Sequence, residues 1–299
     1  MIKRTLYFGS SCTLRKKENQ LLAVFHENQE KPETTVPVED IGLIVLDNPH
    51  ITISNALLMA LNENNTAIIS CNNSHLPYGL MLPMVSQNVF PEKLNYQLTA
   101  SVPLLKNLWK QTVIAKISNQ MALLRKLGVE TGKMEYYIRN VKSGDPENIE
   151  GRAAAFYWEN LFSGRFFVRY RFGEFPNNLL NYGYAVLRAV VARSLIISGL
   201  FPSLGIHHRN KYNPYCLADD IMEPFRPYVD SLVLDIISET PELEELTPSI
   251  KKKLLEIPVI DIVVEGKSSP LMVGMQRTTA SLAACLEGSS RKILFPHLI

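Results

Sequence analysis

The sequence predicts an α+β protein of two domains, with a β-rich, sandwich-like domain over residues 1–97 and an all-helical domain over residues 98–299. Three observations support this prediction. The chain has 299 residues, whereas one domain typically takes about 150. Hydrophobic residues make up 46% of the chain, enough for buried cores and too many for a disordered protein. Short β-type segments fill the first third of the chain, and long segments with helix caps fill the rest.

The first domain is expected to consist mainly of strands, separated by polar turn segments such as residues 27–32. The predicted strands are Thr5–Phe8, Gln20–Phe25, Ile41–Leu46, Ile51–Ser54 and Thr66–Ser70. They are rich in β-branched, leucine or aromatic residues. One helix, Asn55–Glu63, is expected among them. The pattern dissolves between residues 85 and 94, so we place the domain boundary near residue 97.

The second domain is expected to be helical because cap residues recur along it. Ser101–Leu127 has Pro103 in its first turn and Gly128 just beyond its end. Asp145-Pro146 opens a second helix that runs to about Phe162. The other predicted helices are Tyr182–Leu200 and two that begin at the cap pairs Thr247-Pro248 and Ser269-Pro270. Gly288 ends the last helix.

The charge is uneven along the chain although its net value is only +2. Between residues 103 and 142, Glu130 and Glu135 are the acids opposed to eight basic residues: Lys106, Lys110, Lys116, Arg125, Lys126, Lys133, Arg139 and Lys142. Such asymmetry indicates an anionic partner, and an ordinary solvated helix face is the alternative.

The remaining composition excludes several classes of protein. The four cysteines are far apart in the sequence, which argues against a structural zinc site and a disulfide framework. The N-terminal residues lack the apolar run of a signal peptide. Tyr184–Leu200, the most apolar long stretch, is interrupted by Arg188 and Arg193 and is expected to be a buried helix. We therefore expect a cytoplasmic protein without a membrane partner.

Three segments, residues 149–155, 205–210 and 217–227, place carboxylates or imidazoles beside apolar residues. Burying a charge in such a setting is expensive unless a metal or a partner compensates it. Carboxylates together with one imidazole suit Mg²⁺ or Mn²⁺. The three segments therefore indicate a site for one divalent ion.

Glu150 is the candidate from the first segment. In the helix opened by Pro146 it would share a face with Ala154, Tyr157 and Leu161, which otherwise looks buried. The alternative is a first-turn carboxylate favoured by the helix dipole.

The other two segments contribute an imidazole and an acid pair. His207 and His208 follow a tight connection, so one ring can face inward as a ligand; a hydrogen-bonded core histidine is the alternative. Asp220 and Glu223 are three residues apart and would share a helix face. They would also suit a capping box, with Asp220 as the N-cap, and both interpretations can hold at once.

Residues 163–172 alternate arginines with aromatic rings. Guanidinium groups suit phosphates, and rings can stack on unpaired bases, so Arg165 and Arg169 are candidates for DNA contact. An amphipathic turn with surface arginines is the alternative.

Four motifs together resemble the family of the CRISPR-associated integrase Cas1, in the form found in type II systems. They are Glu150-Gly151 at a helix start, Asn181-Tyr182-Gly183-Tyr184, Gly205-x-x-His208, and the run from Leu217 to Pro227 followed by Asp230. The likeness extends over the whole chain, including the β-rich domain before the helical one.

The resemblance implies metal ligands at Glu150, His208 and Glu223, with Asp220 behind a ligand or at a second ion. His208 is preferred over His207 because of its spacing from Gly205. Tyr182 and Arg209, which lie within the matched motifs, are also expected to contact DNA. The implied cofactor is Mg²⁺ or Mn²⁺.

The implied activity is that of an integrase and endonuclease that inserts captured DNA into a CRISPR array. A 3′-hydroxyl of the captured DNA would attack a phosphodiester at the repeat boundary. The expected partners are double-stranded DNA with 3′ single-stranded ends, CRISPR repeat DNA, the Cas2 protein, a second copy of this chain and the type II RNA-guided effector nuclease. A homodimer is expected through the β-rich domain, because apolar faces such as Ile41–Leu46 need covering.

Two other functions remain open from the sequence. One is a DNA-repair nuclease with the same fold, which would not depend on Cas2 or a repeat. The other is a non-catalytic DNA-binding scaffold whose acids only cap helices, which would show no metal-dependent strand transfer.

Overall fold

The computed structural model describes residues 3–26, 33–84, 90–162, 167–170, 173–240 and 245–299. The chain divides into two compact units, Met1–Asn88 and Val89–Ile299. The first unit is rich in strands and the second is mainly helical. The predicted α+β fold class is therefore confirmed.

Among its described residues, the first unit contains two four-stranded sheets and one α-helix. Its elements are β1 (Arg4–Phe8), β2 (Cys12–Lys17), β3 (Gln20–Phe25), β4 (Thr34–Pro37), β5 (Ile41–Leu46), β6 (Thr52–Ile53), α1 (Asn55–Glu63), β7 (Ala67–Cys71) and β8 (Pro77–Met81). One sheet has the order β1-β5-β7-β8, in which the first three strands are parallel and β8 is antiparallel to β7. The other has the order β4-β3-β2-β6, with only the β2–β6 pair parallel.

The core of this unit joins side chains from both sheets and from α1. Leu14 and Leu21 come from one sheet, Ile41 and Ile44 from the other, and Leu57 from the helix. All five are fully or almost fully buried. The sandwich-like prediction thus agrees with a core shared by two sheets.

The predicted role of Ile41–Leu46 as an exposed apolar face is wrong. This segment is β5, which lies between β1 and β7 in the sheet, and the side chains of Leu43 and Val45 are 0% exposed. Exposed apolar side chains of this unit include Tyr78 and Met81 on the edge strand β8, and Met59 on α1. Homodimerisation itself stays a prediction.

The second unit contains nine named helices and one hairpin among the described residues. They are α2 (Phe90–Thr99), α3 (Val102–Lys126), α4 (Gly132–Asn140), α5 (Ile149–Leu161), α6 (Asn177–Ile197), α7 (Cys216–Met222), α8 (Arg226–Glu239), α9 (Pro248–Leu254), β9 (Asp261–Val264), β10 (Lys267–Pro270) and α10 (Leu271–Glu287). A short 3₁₀ turn, Glu223–Phe225, connects α7 to α8.

Two features of this unit differ from the expected all-helical domain that begins at residue 98. Helix α2 belongs to the second unit because it packs against α10. The antiparallel hairpin of β9 and β10 turns through Glu265 and Gly266, both with positive φ. Ser269 lies in β10 and does not cap α10, so that predicted cap is wrong. The caps at Thr247 and Gly288 are confirmed.

Helix α6 is long and apolar enough, by composition alone, to cross a membrane. However, 78% of its most apolar window is buried within the fold. The helix begins at Asn177, five residues before the predicted start. Its burial agrees with the predicted core helix.

Helix α3 carries polar residues into the interior of the second unit. The Ser101 side chain caps its N-terminus by accepting a hydrogen bond from Leu104 N. Leu108, Val113 and Ile117 are fully buried, as expected for a core helix. Lys116 and Asn119 are also buried, and a buried lysine requires compensating anions. These two residues lie beside the candidate site.

Candidate metal centre

Glu150 lies in the first turn of α5, and the residues before it cap that helix. The Asp145 carboxylate accepts hydrogen bonds from Ile149 N and Glu150 N, both at 2.9 Å. Asn148 accepts a further bond from Gly151 N. The helix therefore begins at Ile149 rather than at Pro146, and the Glu150 carboxylate is not needed as a cap.

Glu223 begins the 3₁₀ turn after α7 and is 8% exposed. Arg226 Nε donates a hydrogen bond to Glu223 Oε1 at 2.8 Å. Burial alone would raise the pKa of Glu223, but the charges of Arg226 and Lys116 prevail and lower it to about 2. Glu223 is therefore ionised in the folded protein.

Lys116 of α3 connects Glu150 and Glu223. Its ammonium contacts Glu150 Oε1 and lies 2.6 Å from Glu223 Oε2. The contact with Glu223 is an ion pair without hydrogen-bond geometry, and Oε2 accepts no hydrogen bond from the described residues. Burial tends to lower the pKa of Lys116, but the charges of Glu223 and Glu150 outweigh burial and raise it. Two carboxylates from separate elements thus share one cation.

Asp220 holds the loop that carries the two histidines. It lies within α7 and is 0% exposed, so the predicted N-cap role for Asp220 is wrong. Its carboxylate accepts hydrogen bonds from His207 N at 2.9 Å and His208 N at 3.3 Å. Asp220 Oδ1 also lies 2.5 Å from His208 Nδ1. This hydrogen bond raises the pKa of His208, while burial works in the opposite direction.

The contact of Asp220 with His208 has a chemical consequence. In a neutral imidazole whose Nδ1–H donates to a carboxylate, Nε2 keeps its lone pair and can bind a metal. Asp220 would therefore not contact the metal itself. It would orient the His208 ring, as expected for a residue that hydrogen-bonds to a metal ligand. The metal-binding roles of both residues stay predictions.

His207 has a different setting from His208. Its ring stacks on Trp109, with centroids 4.1 Å apart and planes 2° from parallel. Burial lowers the pKa of His207, which favours its neutral form. Trp109 also contacts the His208 ring edge-on, with centroids 5.6 Å apart. The preference for His208 as the ligand stays a prediction.

The residues fit a divalent ion in part. Glu150 and Glu223 contact the same ammonium, so they are close enough to bind one cation, and carboxylate oxygens suit Mg²⁺ or Mn²⁺. Glu223 Oε2 is buried and lacks a hydrogen bond from the described part of the chain. Within the described ranges, no group of three His, Cys, Asp or Glu side chains is gathered closely enough to form a finished metal site. His208 is turned to Asp220 instead.

A buried network lies behind Glu223 and was not expected from the sequence. Asp230 accepts hydrogen bonds from Tyr157 at 2.7 Å and from Tyr184. The guanidinium of Arg226 lies over the Tyr184 ring, 4.5 Å from its centroid. Arg226 is thus held between Tyr184 and Glu223. The sequence could have indicated that Arg226 and Asp230 belong to one network, because Asp230 follows Arg226 by one helical turn.

The predicted DNA contacts have different outcomes. Arg209 is exposed and lines a cavity of about 670 Å³ beside His208. Arg169 donates hydrogen bonds to Asn177 and Asn181, so it is engaged within the fold. Tyr182 is 1% exposed, and its ring cannot stack on a base in this arrangement. Arg165 lies outside the described residues.

Comparison with known proteins points to one family. The family model for "CRISPR associated protein Cas1" matches residues 6–245. The CRISPR-associated endonuclease Cas1 of Neisseria meningitidis serogroup C (strain 8013) is 34% identical over 302 residues, covering all of this chain and 97% of that protein.

Solved structures share the fold at low sequence identity. A casposase bound to integration product has a TM-score of 0.81 at 21% identity, covering 98% of this chain and 92% of the other. A chain of a Cas6-RT-Cas1–Cas2 complex has a TM-score of 0.74 at 17% identity, covering 97% of this chain and 35% of the other.

Proposed function

This chain belongs to the Cas1 family, and we propose that it is a metal-dependent DNA strand transferase that inserts captured DNA into a CRISPR array. The observation that carries the proposal is the pair of Glu150 and Glu223, whose carboxylates share the buried ammonium of Lys116. The carboxylate of Glu223 is ionised and buried, which is expensive, and neither acid caps a helix in this fold. The pair is best explained as the binding site of a cation that takes part in the reaction.

We propose that Glu150, His208 and Glu223 hold one Mg²⁺ or Mn²⁺ ion. Such an ion lowers the pKa of an attacking hydroxyl and stabilises the charge that develops on a phosphate. The protein's own contribution is to position the ligands. Arg226 fixes one oxygen of Glu223, and Asp220 orients the His208 ring. The carboxylate of Glu223 stays ionised, as its pKa of about 2 requires.

The proposed reaction exchanges one phosphodiester for another. The 3′-oxygen of the captured DNA forms a bond to phosphorus, and the bond from phosphorus to the 3′-oxygen of the repeat strand breaks. The proton of the attacking hydroxyl is released, and the departing oxygen takes up a proton. Since one phosphodiester forms as another breaks, the reaction consumes no water and needs no nucleoside triphosphate. Water in place of the hydroxyl gives endonuclease activity at the same site.

The proposed DNA partners are double-stranded DNA with 3′ single-stranded ends and CRISPR repeat DNA. Arg209 is the candidate for phosphate contact because it is exposed beside His208. The likeness to a casposase bound to integration product supports a DNA strand-transfer chemistry for this fold.

The proposed protein partners follow from the need for two reactions, one at each end of the captured DNA. The described part of one chain has one candidate centre, so two copies are required at a fixed separation. We propose a homodimer joined to a second dimer by Cas2, and the likeness to a Cas6-RT-Cas1–Cas2 complex supports that partner. The type II effector nuclease is proposed as the partner that selects DNA for capture.

A non-catalytic scaffold is the less suitable alternative, because Asp220 and Glu223 form no capping box. A repair nuclease would use the same carboxylates and differs in its dependence on Cas2 and a repeat.

A strand-transfer assay tests the proposal. The full chain, Cas2, Mn²⁺, a labelled DNA with free 3′ ends and a plasmid carrying a repeat array should yield a joined product. Glu150→Gln and Glu223→Gln should each reduce the joining rate by more than about 100-fold, since losing a residue behind a ligand already costs about 10- to 100-fold. The matched control is Glu147→Gln, an exposed acid three residues before Glu150 that pairs with Lys142.

Joining by both site variants at the wild-type rate would contradict the proposed centre. Joining that needs neither Cas2 nor the repeat array would favour the repair nuclease.

A further inference from the structure

Lys116 occupies an unusual position for a lysine. It lies in the middle of the long helix α3 and is 7% exposed. A lysine at the protein surface keeps its ammonium in water at the end of a flexible stem. Lys116 instead directs its ammonium inward, to the oxygens of Glu150 and Glu223.

The position of Lys116 is fixed by its neighbour on the same helix face. Asn119 Nδ2 donates a hydrogen bond of 2.7 Å to Pro224 O, in the turn that Glu223 begins. Residues three apart on a helix lie on the same face. The bond therefore holds α3 against this turn and keeps the root of the Lys116 side chain opposite Glu223.

The two oxygens of Glu223 have different partners. Oε1 accepts a hydrogen bond from Arg226, which comes from the next turn of the same segment. Oε2 is the oxygen that Lys116 approaches, without hydrogen-bond geometry. Arg226 is a local and lasting partner, whereas Lys116 reaches Glu223 from another helix through four flexible bonds.

The charges of these four side chains balance: two carboxylates face one ammonium and one guanidinium. A divalent ion bound by both carboxylates would need the oxygens that Lys116 contacts. Two cations cannot share those oxygens closely without strong repulsion. The ammonium must therefore leave when the ion arrives.

We propose that Lys116 is an internal counter-ion that holds Glu150 and Glu223 together in the metal-free protein and is replaced there by a divalent ion. The proposal rests on the proposed function, because it assumes that these two carboxylates bind metal. It explains why two carboxylates, that of Glu223 buried and that of Glu150 partly buried, can be brought together before metal is present. It also explains why the described residues show no finished three-ligand group while Lys116 holds both acids.

Lys116→Met tests the proposal, since methionine keeps much of the side-chain length and removes the charge. In EDTA this variant should have a Tm about 10 °C below wild type, because it leaves the buried carboxylate of Glu223 and the partly buried one of Glu150 with one cation. Mn²⁺ should raise its Tm more than that of wild type. In calorimetry its Kd for Mn²⁺ should be at least about tenfold lower than that of wild type, because no cation competes for the carboxylates.

Lys142→Met is the matched control, because Lys142 forms an exposed ion pair with Glu147. It should match wild type in both measurements. If Lys116→Met does not fold, the double variant Lys116→Met, Glu150→Gln keeps the test decisive. One carboxylate then faces the remaining guanidinium, so the double variant should fold with a Tm in EDTA close to that of wild type.

Four results would overturn the counter-ion proposal. These are an unchanged Tm of Lys116→Met in EDTA, an equal affinity of wild type and Lys116→Met for Mn²⁺, an equal Tm loss in Lys142→Met, and a double variant as unstable as the single one. The second result leaves the proposed function standing. If Mn²⁺ affects neither wild type nor Lys116→Met, both proposals fail.

Discussion

Asn119→Ala is the substitution that most directly tests how the fold positions the site. Asn119 is 1% exposed and lies on α3, one turn after Lys116. Its side chain joins α3 to the turn that carries Glu223 and to the C-terminal segment. Alanine keeps the helix but removes all of these bonds.

The expected loss of stability follows from the hydrogen bonds. Asn119 Nδ2 donates to Pro224 O at 2.7 Å and to Pro296 O at 3.0 Å, and Oδ1 accepts from Leu298 N at 3.0 Å. Each buried group left without a partner costs about 1–3 kcal/mol. Three such groups at the lower part of that range give a decrease of about 3–5 kcal/mol in the free energy of unfolding.

Urea unfolding followed by tryptophan fluorescence is a suitable assay. The chain has two tryptophans, Trp109 and Trp158, and both lie in the second unit. The signal therefore reports unfolding of the unit that contains Asn119. The midpoint should fall while the m-value stays constant.

Asn107→Ala is the matched control on the same helix. Asn107 is exposed and accepts one hydrogen bond from Gln111. Its replacement should change the free energy of unfolding by less than about 0.5 kcal/mol. An Asn119→Ala protein as stable as Asn107→Ala would refute the argument that Asn119 ties α3 to the Glu223 turn.

Three further predictions concern the loop, the buried acid and DNA contact. Gly205→Ala should lower both Tm and strand transfer, because a Cβ there would collide with His208 O and crowd Asp220; unchanged values of both would contradict this. Burial raises the pKa of Asp230 to about 6, so the folded protein binds this proton more tightly than the unfolded chain, and the free energy of unfolding falls as pH rises through about 4 to 6. Asp230→Asn should remove that decrease of about 3 kcal/mol, measured by urea unfolding across this pH range. If the variant and wild type had the same dependence of stability on pH, Asp230 would not be its cause. Arg209→Gln should leave Tm unchanged and reduce the slope of log K against log salt by about 0.7–0.9, whereas an unaltered slope in a salt titration would remove Arg209 from the DNA path.

The sequence predicts some elements of the first unit well for physical reasons. Gln20–Phe25 and Ile41–Leu46 are apolar strands bounded by polar turns, and both appear with the predicted bounds. Strand β2 is absent from the predicted strands because its last three residues, Arg15 to Lys17, are exposed and hide the apolar pattern of Cys12 and Leu14. Strand β8 begins with a proline and lies at a sheet edge, where the pattern is weak.

In the candidate site, too, some residues can be predicted from the sequence and others cannot. Acids and histidines at helix ends are visible in the amino-acid sequence, so Glu150, the two adjacent histidines and the acid pair Asp220 and Glu223 can be selected from it as candidates. The choice of His208 and Glu223 as ligands depends on the resemblance to the family and stays a prediction. In the sequence Lys116 is one of eight basic residues that indicate an anionic partner, because a sequence does not show that a lysine points inward. Its function depends on contacts with α5 and with the turn after α7, which are distant in the chain.

The most direct test of the metal centre is a crystal structure of the full chain grown with Mn²⁺ and measured at a wavelength where manganese scatters anomalously. We predict one anomalous peak in contact with Glu150, His208 and Glu223, with the Lys116 ammonium no longer between the two carboxylates. A structure in which Mn²⁺ binds elsewhere, while Lys116 still joins Glu150 and Glu223, would contradict the metal centre.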